Sequence, residues 1–344
     1  MQNIVNALER LLPEGLQMFK ERYRLLQTIM QNEPVGRRTL VNLLKVSERT
    51  VRGEVDRLFQ NGLVEISSMG ISITPQGEDV LNTLYAIIHE LEATSRLEKD
   101  IEALLELKKA IVVKGNMDER DEIKNELGVA CMSILEHELK DECTVAITGG
   151  TTIAHMIASM PRCGHHFNGL RVIPARGSVG QRVELQAHTI AVELAKKLDA
   201  EYELLAIPDN LSNQSISLIK SEPQIQNLLQ KISKTDIIIF GIGNAIKMAK
   251  RRNEPPVVLK HLEEKQAVAE SFRYYFNKEG QVVYATGSIG VEPEIAKAIP
   301  VRIAVAGGES KADAIMATST LLKGSYLILD EGAAKRILTT YEKN

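Results

Sequence analysis

The stretch that most constrains this chain is Val145-Ala146-Ile147-Thr148-Gly149-Gly150-Thr151-Thr152-Ile153-Ala154. A short apolar, β-branched run stops at two glycines, two threonines follow, and a helical pattern begins. Read as strand, turn and helix, it predicts a site for an anion. Glycines let the backbone turn tightly and approach a ligand closely, and the first N–H groups of the following helix point outward without intrahelical partners. The two hydroxyls add donors. The bland reading of the same residues is a βα turn with a threonine cap. No Gly-Lys-Ser/Thr follows at the spacing of a nucleotide-binding P-loop.

The pattern repeats beyond residue 110. Apolar runs at 110–113, 144–147, 170–173, 203–207, 236–240, 302–305 and 326–329 alternate with helical stretches at 119–139, 153–160, 185–198, 223–232 and 311–322. Such alternation predicts an α/β domain with a mostly parallel, doubly wound sheet covered on both faces. A hairpin, 272–276 with 281–285, is the exception. Ligands of such folds bind beyond the carboxyl ends of strands. Four of those ends carry glycine: Gly149-Gly150-Thr151-Thr152, Pro174-Ala175-Arg176-Gly177-Ser178-Val179-Gly180, Gly241-Ile242-Gly243-Asn244 and Ala306-Gly307-Gly308-Glu309-Ser310-Lys311. Three are accompanied by Arg or Lys, counting Lys250-Arg251-Arg252-Asn253 one helix after the third. Arginine offers a planar fork and lysine a point charge to phosphate oxygens, so the predicted ligand is a small polyanion, a bisphosphate better than a monophosphate. Glu270 is placed to accept from sugar hydroxyls; its bland reading is a surface carboxylate. No nucleophile–base pair emerges. His165-His166 reads as a loop, not a metal site, and Asp330-Glu331 reads as the cap of the final helix rather than a general base.

The first 74 residues are of another kind. Helical patterns at 3–12, 16–31, 37–44 and 48–61 are broken by Pro13 with Gly15 and by Glu33-Pro34-Val35-Gly36. Ser47 is a good N-cap for the last of them and Gly62 a good stop. Two short helices separated by three residues predict a helix-turn-helix. In its second helix Val51, Val55 and Leu58 form a buried stripe, while Arg49, Arg52, Gly53 and Asp56 share another face. Segment 36–57 holds Arg37, Arg38, Lys45, Arg49, Arg52 and Arg57 against Glu48, Glu54 and Asp56, a local excess of positive charge on a chain whose net charge is −3. Arg37, Arg38, Ser47, Arg49, Thr50 and Arg52 are the candidate DNA contacts. Strands at 63–66 and 71–74 around Ser68-Met69-Gly70 read as a wing. A plain three-helix domain with a solvated basic face is the competing reading. Pro75 opens a helix in which Leu81, Leu84, Ile88 and Leu91 form a seam, suited to a short coiled coil or to packing on the second domain. The expected domains are 1–74, 75–109 as a linker helix, and 110–344.

Cys131, Cys143 and Cys163 are odd in number and form no Cys-x-x-Cys pair, as expected for reduced thiols in the cytoplasm. No apolar run reaches the ~18 residues of a membrane span. The start, Met1-Gln2-Asn3-Ile4, does not read as a signal peptide.

The order helix-turn-helix, linker, GGTT, PARGxxG, RRN, YYFN, AGG-x-SKA, DEGAAK resembles the bacterial repressors with SorC/DeoR-like sugar-binding effector domains, over essentially the whole chain. The strings Met248-Ala249-Lys250-Arg251-Arg252-Asn253 and Asp330-Glu331-Gly332-Ala333-Ala334-Lys335 place the resemblance in the subfamily that controls central glycolytic genes. The resemblance implies an operator-binding, non-enzymatic homo-oligomer (dimer or tetramer) released by fructose-1,6-bisphosphate or a related sugar phosphate, with no cofactor or metal. It implies effector contacts at Thr151, Thr152, Arg176, Gln186, Arg251, Glu270 and Lys311; Gln186, and Arg251 in preference to Arg252, come from the resemblance alone. It also implies an effector domain like that of sugar-phosphate isomerases and deaminases without their activity, and the alternative reading is such an enzyme fused to a helical head. Ser178 departs from the family in standing where a second glycine is common. So does Glu309, where a small polar residue is usual and a carboxylate would weaken a phosphate contact at Lys311.

Overall fold

The computed structural model describes residues 11–91, 95–177, 182–205, 207 and 211–341. The chain falls into two compact units, residues 1–93 with 161–165, and residues 94–160 with 166–344. Most of the first expected helix (3–12), together with Ser178 and Gly180, lies outside the described residues.

In the smaller unit helices Pro13–Asn32, Arg37–Leu44 and Glu48–Gln60 precede strands β1 (Val64–Ile66) and β2 (Ile71–Ile73), which pair antiparallel. The turn between the second and third helices puts Lys45 in the left-handed region, φ 54°, where glycine is the usual choice. Ser47 Oγ accepts from the Thr50 N–H at 3.1 Å, closing an orphan donor at the helix start. The wing is anchored by a bridge from Val35 to Ile71, with both N–H···O distances 2.9 Å. Val51, Val55 and Leu58 are buried together with Leu26, Ile29, Leu40 and Ile71. Leu81 and Ile88 of the helix Pro75–Leu91 belong to the same cluster, and Leu84 packs against it. Leu81, Leu84 and Ile88 thus pack on the head, not on the second domain as the sequence allows. The helix Ser95–Leu105 instead puts Ile101 and Leu105 into the core of the larger unit.

The larger unit holds a seven-stranded, all-parallel sheet in the order β3-β13-β12-β7-β4-β5-β6. Its strands are β3 (Lys109–Val113), β4 (Thr144–Ile147), β5 (Arg171–Pro174), β6 (Glu201–Tyr202), β7 (Ile237–Gly241), β12 (Val301–Val305) and β13 (Tyr326–Asp330). The expected strand at 203–207 is corrected to the two residues of β6. Its neighbour β5 ends in Pro174, which has no N–H to continue the ladder. A four-stranded antiparallel sheet, β11-β10-β9-β8, follows β7: β8 (Gly243–Asn244), β9 (Ala267–Ser271), β10 (Tyr274–Asn277) and β11 (Val282–Ala285). The hairpin starting at 272 is corrected as well. Phe272 and Arg273, with φ 53° and 67°, form the turn between β9 and β10. A two-residue turn with both φ positive normally advertises itself as Asn-Gly; here Phe272 is held instead by packing on Phe240, ring centroids 4.8 Å apart.

The helical stretch at 119–139 divides into a 3-10 turn Asp121–Asn125 and the helix Glu126–Glu138, and that at 311–322 into Ala312–Ala317 and Ser319–Leu322. Chain order runs outward from β4 through β5 to β6, then returns to the other side of β4 as β7 and runs through β12 to β13. Between β4 and β7 the winding reverses, leaving a crevice beyond their carboxyl ends.

Candidate functional site

That crevice is a cavity of about 390 Å³. Its floor is the turn after β4. The Gly150 N–H donates to the Leu185 carbonyl at 2.9 Å, and Gly150 has φ 121°. A Cβ on Gly149 would stand 2.6 Å from the Leu185 carbonyl oxygen, so the turn accepts glycine alone at both positions. The helix Thr151–Ser159 then begins at the cavity wall with Thr151 and Thr152 in its first turn.

All seven residues named as candidate effector contacts line this one cavity: Thr151, Thr152, Arg176, Gln186, Arg251, Glu270 and Lys311. Arg251 Nη1 donates to Thr151 Oγ1 at 2.9 Å, and Lys311 Nζ donates to Thr152 Oγ1 at 3.4 Å. Two cations from distant parts of the chain therefore converge on one helix start, each beside a hydroxyl. Arg176 and Gln186 are buried.

Of the remaining lining, the strand-end glycines, Asn244 and Arg252 are legible in the sequence, whereas Lys124, Arg182, Lys247 and Arg273 are not. Lys124, Arg182, Lys247, Arg252 and Arg273 bring the total to eight lysines and arginines against two carboxylates, Asp118 and Glu270. Lys124 sits in a 3-10 turn at the start of the stretch whose pattern predicts a helix, and Lys247 lies in the helix Ala245–Arg251. The signal that could have found the latter is the helical spacing of Lys247 and Arg251, four residues apart on one face.

Glu270 is no surface carboxylate. It is 4% exposed, pairs with Arg252 Nη1 at 3.1 Å and accepts the Arg273 N–H at 2.8 Å. Burial pushes its carboxyl up, but the Arg252 guanidinium and the hydrogen bonds outweigh it and hold the group below its ordinary value. Arg252 is correspondingly raised, burial being overcome by Glu270 and Tyr275. The pair separates the two adjacent arginines: Arg252 is committed to Glu270, while Arg251 reaches the helix start. Lys311 is the opposite case. Burial lowers its ammonium to about 8, with Lys124 and Arg251 adding to the effect and Asp330 and Asp118 opposing it.

Asp330 is fully buried and accepts backbone N–H groups from Met117 at 2.5 Å, Gly308 at 2.8 Å and Ala333 at 2.9 Å. It caps the helix Glu331–Tyr341 and pins two loops. Burial raises its carboxyl despite these three bonds. Glu309 is exposed and absent from the lining of this cavity. His166 Nδ1 lies 3.1 Å from Asp199 Oδ2.

In the smaller unit the acidic residues of the third helix are occupied. Glu54 pairs with Arg22 at 2.6 Å and Arg57 at 2.7 Å, and Asp56 with Arg37 at 3.3 Å. Arg38, Arg49 and Arg52 are exposed and have no carboxylate partner among the described residues. Ser47 and Thr50 are exposed at the helix start.

The division into a small basic head and a sheet with a cation-lined crevice matches two families. A profile of a sugar-binding domain fits residues 89–339, and one of the CggR N-terminal DNA-binding domain fits residues 18–88. The central glycolytic genes regulator of Bacillus subtilis is 39% identical, the match covering 98% of this chain and 99% of that protein. The chain belongs to this regulator family. The protein of the same name from Priestia megaterium is 37% identical over 99% of this chain and 100% of its own length. A SorC-family transcriptional regulator from Enterococcus faecalis, a solved structure 35% identical, superposes with a TM-score of 0.66 over 71% of this chain and 99% of its own. The family makes the chain a sugar-responsive transcriptional regulator, with a DNA-binding head followed by a sugar-binding α/β domain. No helix among the described residues is long and apolar enough to cross a membrane.

Proposed function

We propose that the protein is a cytoplasmic repressor of glycolytic genes that binds its operator through the helix Glu48–Gln60 and is released by fructose-1,6-bisphosphate. The observation that carries the ligand is the charge of the cavity at the β4/β7 switch point, eight cationic side chains against two carboxylates. One phosphate is held at the start of the helix Thr151–Ser159 by N–H groups, Thr151, Thr152, Arg251 and Lys311. A second is held by the remaining cationic lining, Arg176 among it, with Gln186 on the sugar. A bisphosphate satisfies such a surplus better than a monophosphate, and charge-assisted bonds of this kind contribute roughly 1.5–3 kcal/mol each. The role is regulatory, not catalytic: the buried carboxylates Glu270 and Asp330 are both consumed by structural bonds.

On the head, Arg38, Arg49 and Arg52 supply phosphate and base contacts, Arg37 joins them beside Asp56, and Ser47 and Thr50 lie at the helix end that meets the groove. A homo-oligomer, dimer or tetramer, matches two half-sites. Release follows from a population shift, in which the ligand binds the state of low operator affinity more tightly than the other.

Titration calorimetry with fructose-1,6-bisphosphate, fructose-6-phosphate and fructose tests the ligand. The bisphosphate is expected to bind at least about a hundredfold tighter than fructose, two charge-assisted contacts being worth that much. Equal affinity for the three sugars would refute the reading. A gel shift with the upstream region of the glycolytic operon, with and without the bisphosphate, tests the release.

A further inference from the structure

Gly53 stands in the middle of the helix Glu48–Gln60. A glycine at the centre of an exposed helix weakens it relative to alanine, because its backbone loses the most freedom on folding. Other helical glycines in this structure have reasons inside the protein. A Cβ on Gly77 would stand 2.2 Å from the Leu63 carbonyl oxygen, one on Gly128 2.6 Å from that of Met156, and one on Gly332 2.7 Å from the Asn116 side chain. At Gly53 nothing lies within 4 Å, and the residue is exposed. No contact within the chain calls for the missing side chain.

The position is not an arbitrary one. Gly53 lies one turn after Arg49 on the same face, next to Arg52. Both arginines are exposed without carboxylate partners among the described residues, whereas the neighbouring acids Glu54 and Asp56 are neutralised by ion pairs. The open face over Gly53 is therefore flanked by the cations left available for an external anion.

We infer that Gly53 is the point where the backbone of this helix comes into contact with a base-pair edge in the major groove of the operator. A side chain here would lift the helix off the groove floor and stretch the hydrogen bonds of Arg49 and Arg52, which tolerate only a few tenths of an ångström. The inference rests on the recognition-helix reading given under Proposed function and adds a specificity-determining residue to it.

The test uses the full chain and two duplexes, one selected by the wild-type protein from a random-sequence pool and one of unrelated sequence. Gly53→Ala should raise the unfolding temperature of the head by roughly 2–8 °C. It should weaken binding to the selected duplex at least about tenfold and to the unrelated duplex by less than about threefold. Gly53→Leu should lose more on the selected duplex. A loss for Gly53→Ala smaller than about tenfold on the selected duplex overturns the inference. Equal losses on both duplexes, or a fall in unfolding temperature, overturn it as well. Arg49→Ala and Arg52→Ala are run alongside. If they lose selected binding while Gly53→Ala does not, only the close approach is wrong; if they too bind normally, the recognition-helix reading falls with it.

Discussion

Lys311 gives the sharpest handle on the effector site. Its ammonium is lowered to about 8 by burial, assisted by Lys124 and Arg251 and opposed by Asp330 and Asp118, and it lies 3.4 Å from Thr152 Oγ1 at the helix start. An anion bound there favours the charged form and raises the group well above 8, so binding takes up a proton. The lysine is charged below pH 8, and affinity is full there. Above pH 8 the free protein must first protonate the amine, and affinity falls about tenfold between pH 7 and pH 9, or ~1.4 kcal/mol. The ligand does not confound this window, because a phosphate monoester with a second pKa near 6 is already a dianion above pH 7. For the free protein the sign is reversed: a lysine lowered on folding binds more protons unfolded, so stability rises with pH through the interval above 8. The assay is calorimetry with fructose-1,6-bisphosphate at pH 7, 8 and 9, at pH 8 in buffers of differing ionisation enthalpy, where about half a proton should be taken up. Lys311→Met should bind more weakly at pH 7 and lose this decline. A flat profile in the wild type, or the same decline in Lys311→Met, would refute the reasoning.

Other outcomes follow from the same geometry. Thr152→Val keeps the shape of the side chain but removes the hydroxyl, and Arg176→Ala removes a charge; each should cost roughly 1.5–3 kcal/mol of ligand affinity while operator binding persists, giving a repressor that no longer releases on adding the bisphosphate. Normal ligand affinity in both variants would sink the site, and lost affinity with normal release would sink the coupling. Glu270→Gln leaves the half-buried Arg252 without its carboxylate and should lower the stability of the larger unit by about 3 kcal/mol; a loss under about 1 kcal/mol in denaturant unfolding would show that the pair is not structural. Pure protein should turn over neither fructose-1,6-bisphosphate, ribose-5-phosphate nor glucosamine-6-phosphate, and sustained product formation abolished by Asp330→Asn would reverse that expectation.

The strand ends were legible because glycine and β-branched runs announce them without tertiary information. Gly149 and Gly150 are required by backbone geometry, so the turn after β4 could be located from residues alone. The surroundings could not. Lys124 reaches the cavity because a helical pattern begins as a 3-10 turn, which hydrophobic periodicity does not distinguish from an α-helix. The turn at Phe272 and Arg273 carries no turn residues, since ring packing on Phe240 holds it, and this hides β9 and the buried pairing of Glu270 with Arg252, although Glu270 lines the cavity as the sequence predicts. In the head, the Ser47 cap and the Val51, Val55 and Leu58 stripe are plain in sequence, but Arg22 and Arg37, which pair with Glu54 and Asp56, come from other helices and are not.

Those partners settle how a chain of net charge −3 can present two attractive surfaces for anions. What matters is which cations remain after internal pairing. In the head, Arg22 and Arg57 are used on Glu54 and Arg37 stands beside Asp56 at the surface, leaving Arg38, Arg49 and Arg52 outward with no carboxylate partner among the described residues. In the effector unit Arg252 is used on Glu270, leaving Arg251 on Thr151 and Lys311 on Thr152. A count of charge along the sequence treats adjacent Arg251 and Arg252 as equals, and so it does Arg49 and Arg57. The fold uses one of each pair as a strut and leaves the other available for the proposed contact. Replacing the struts should therefore act mainly through stability and replacing the contacts mainly through affinity, a division that neither net charge nor local charge density can make.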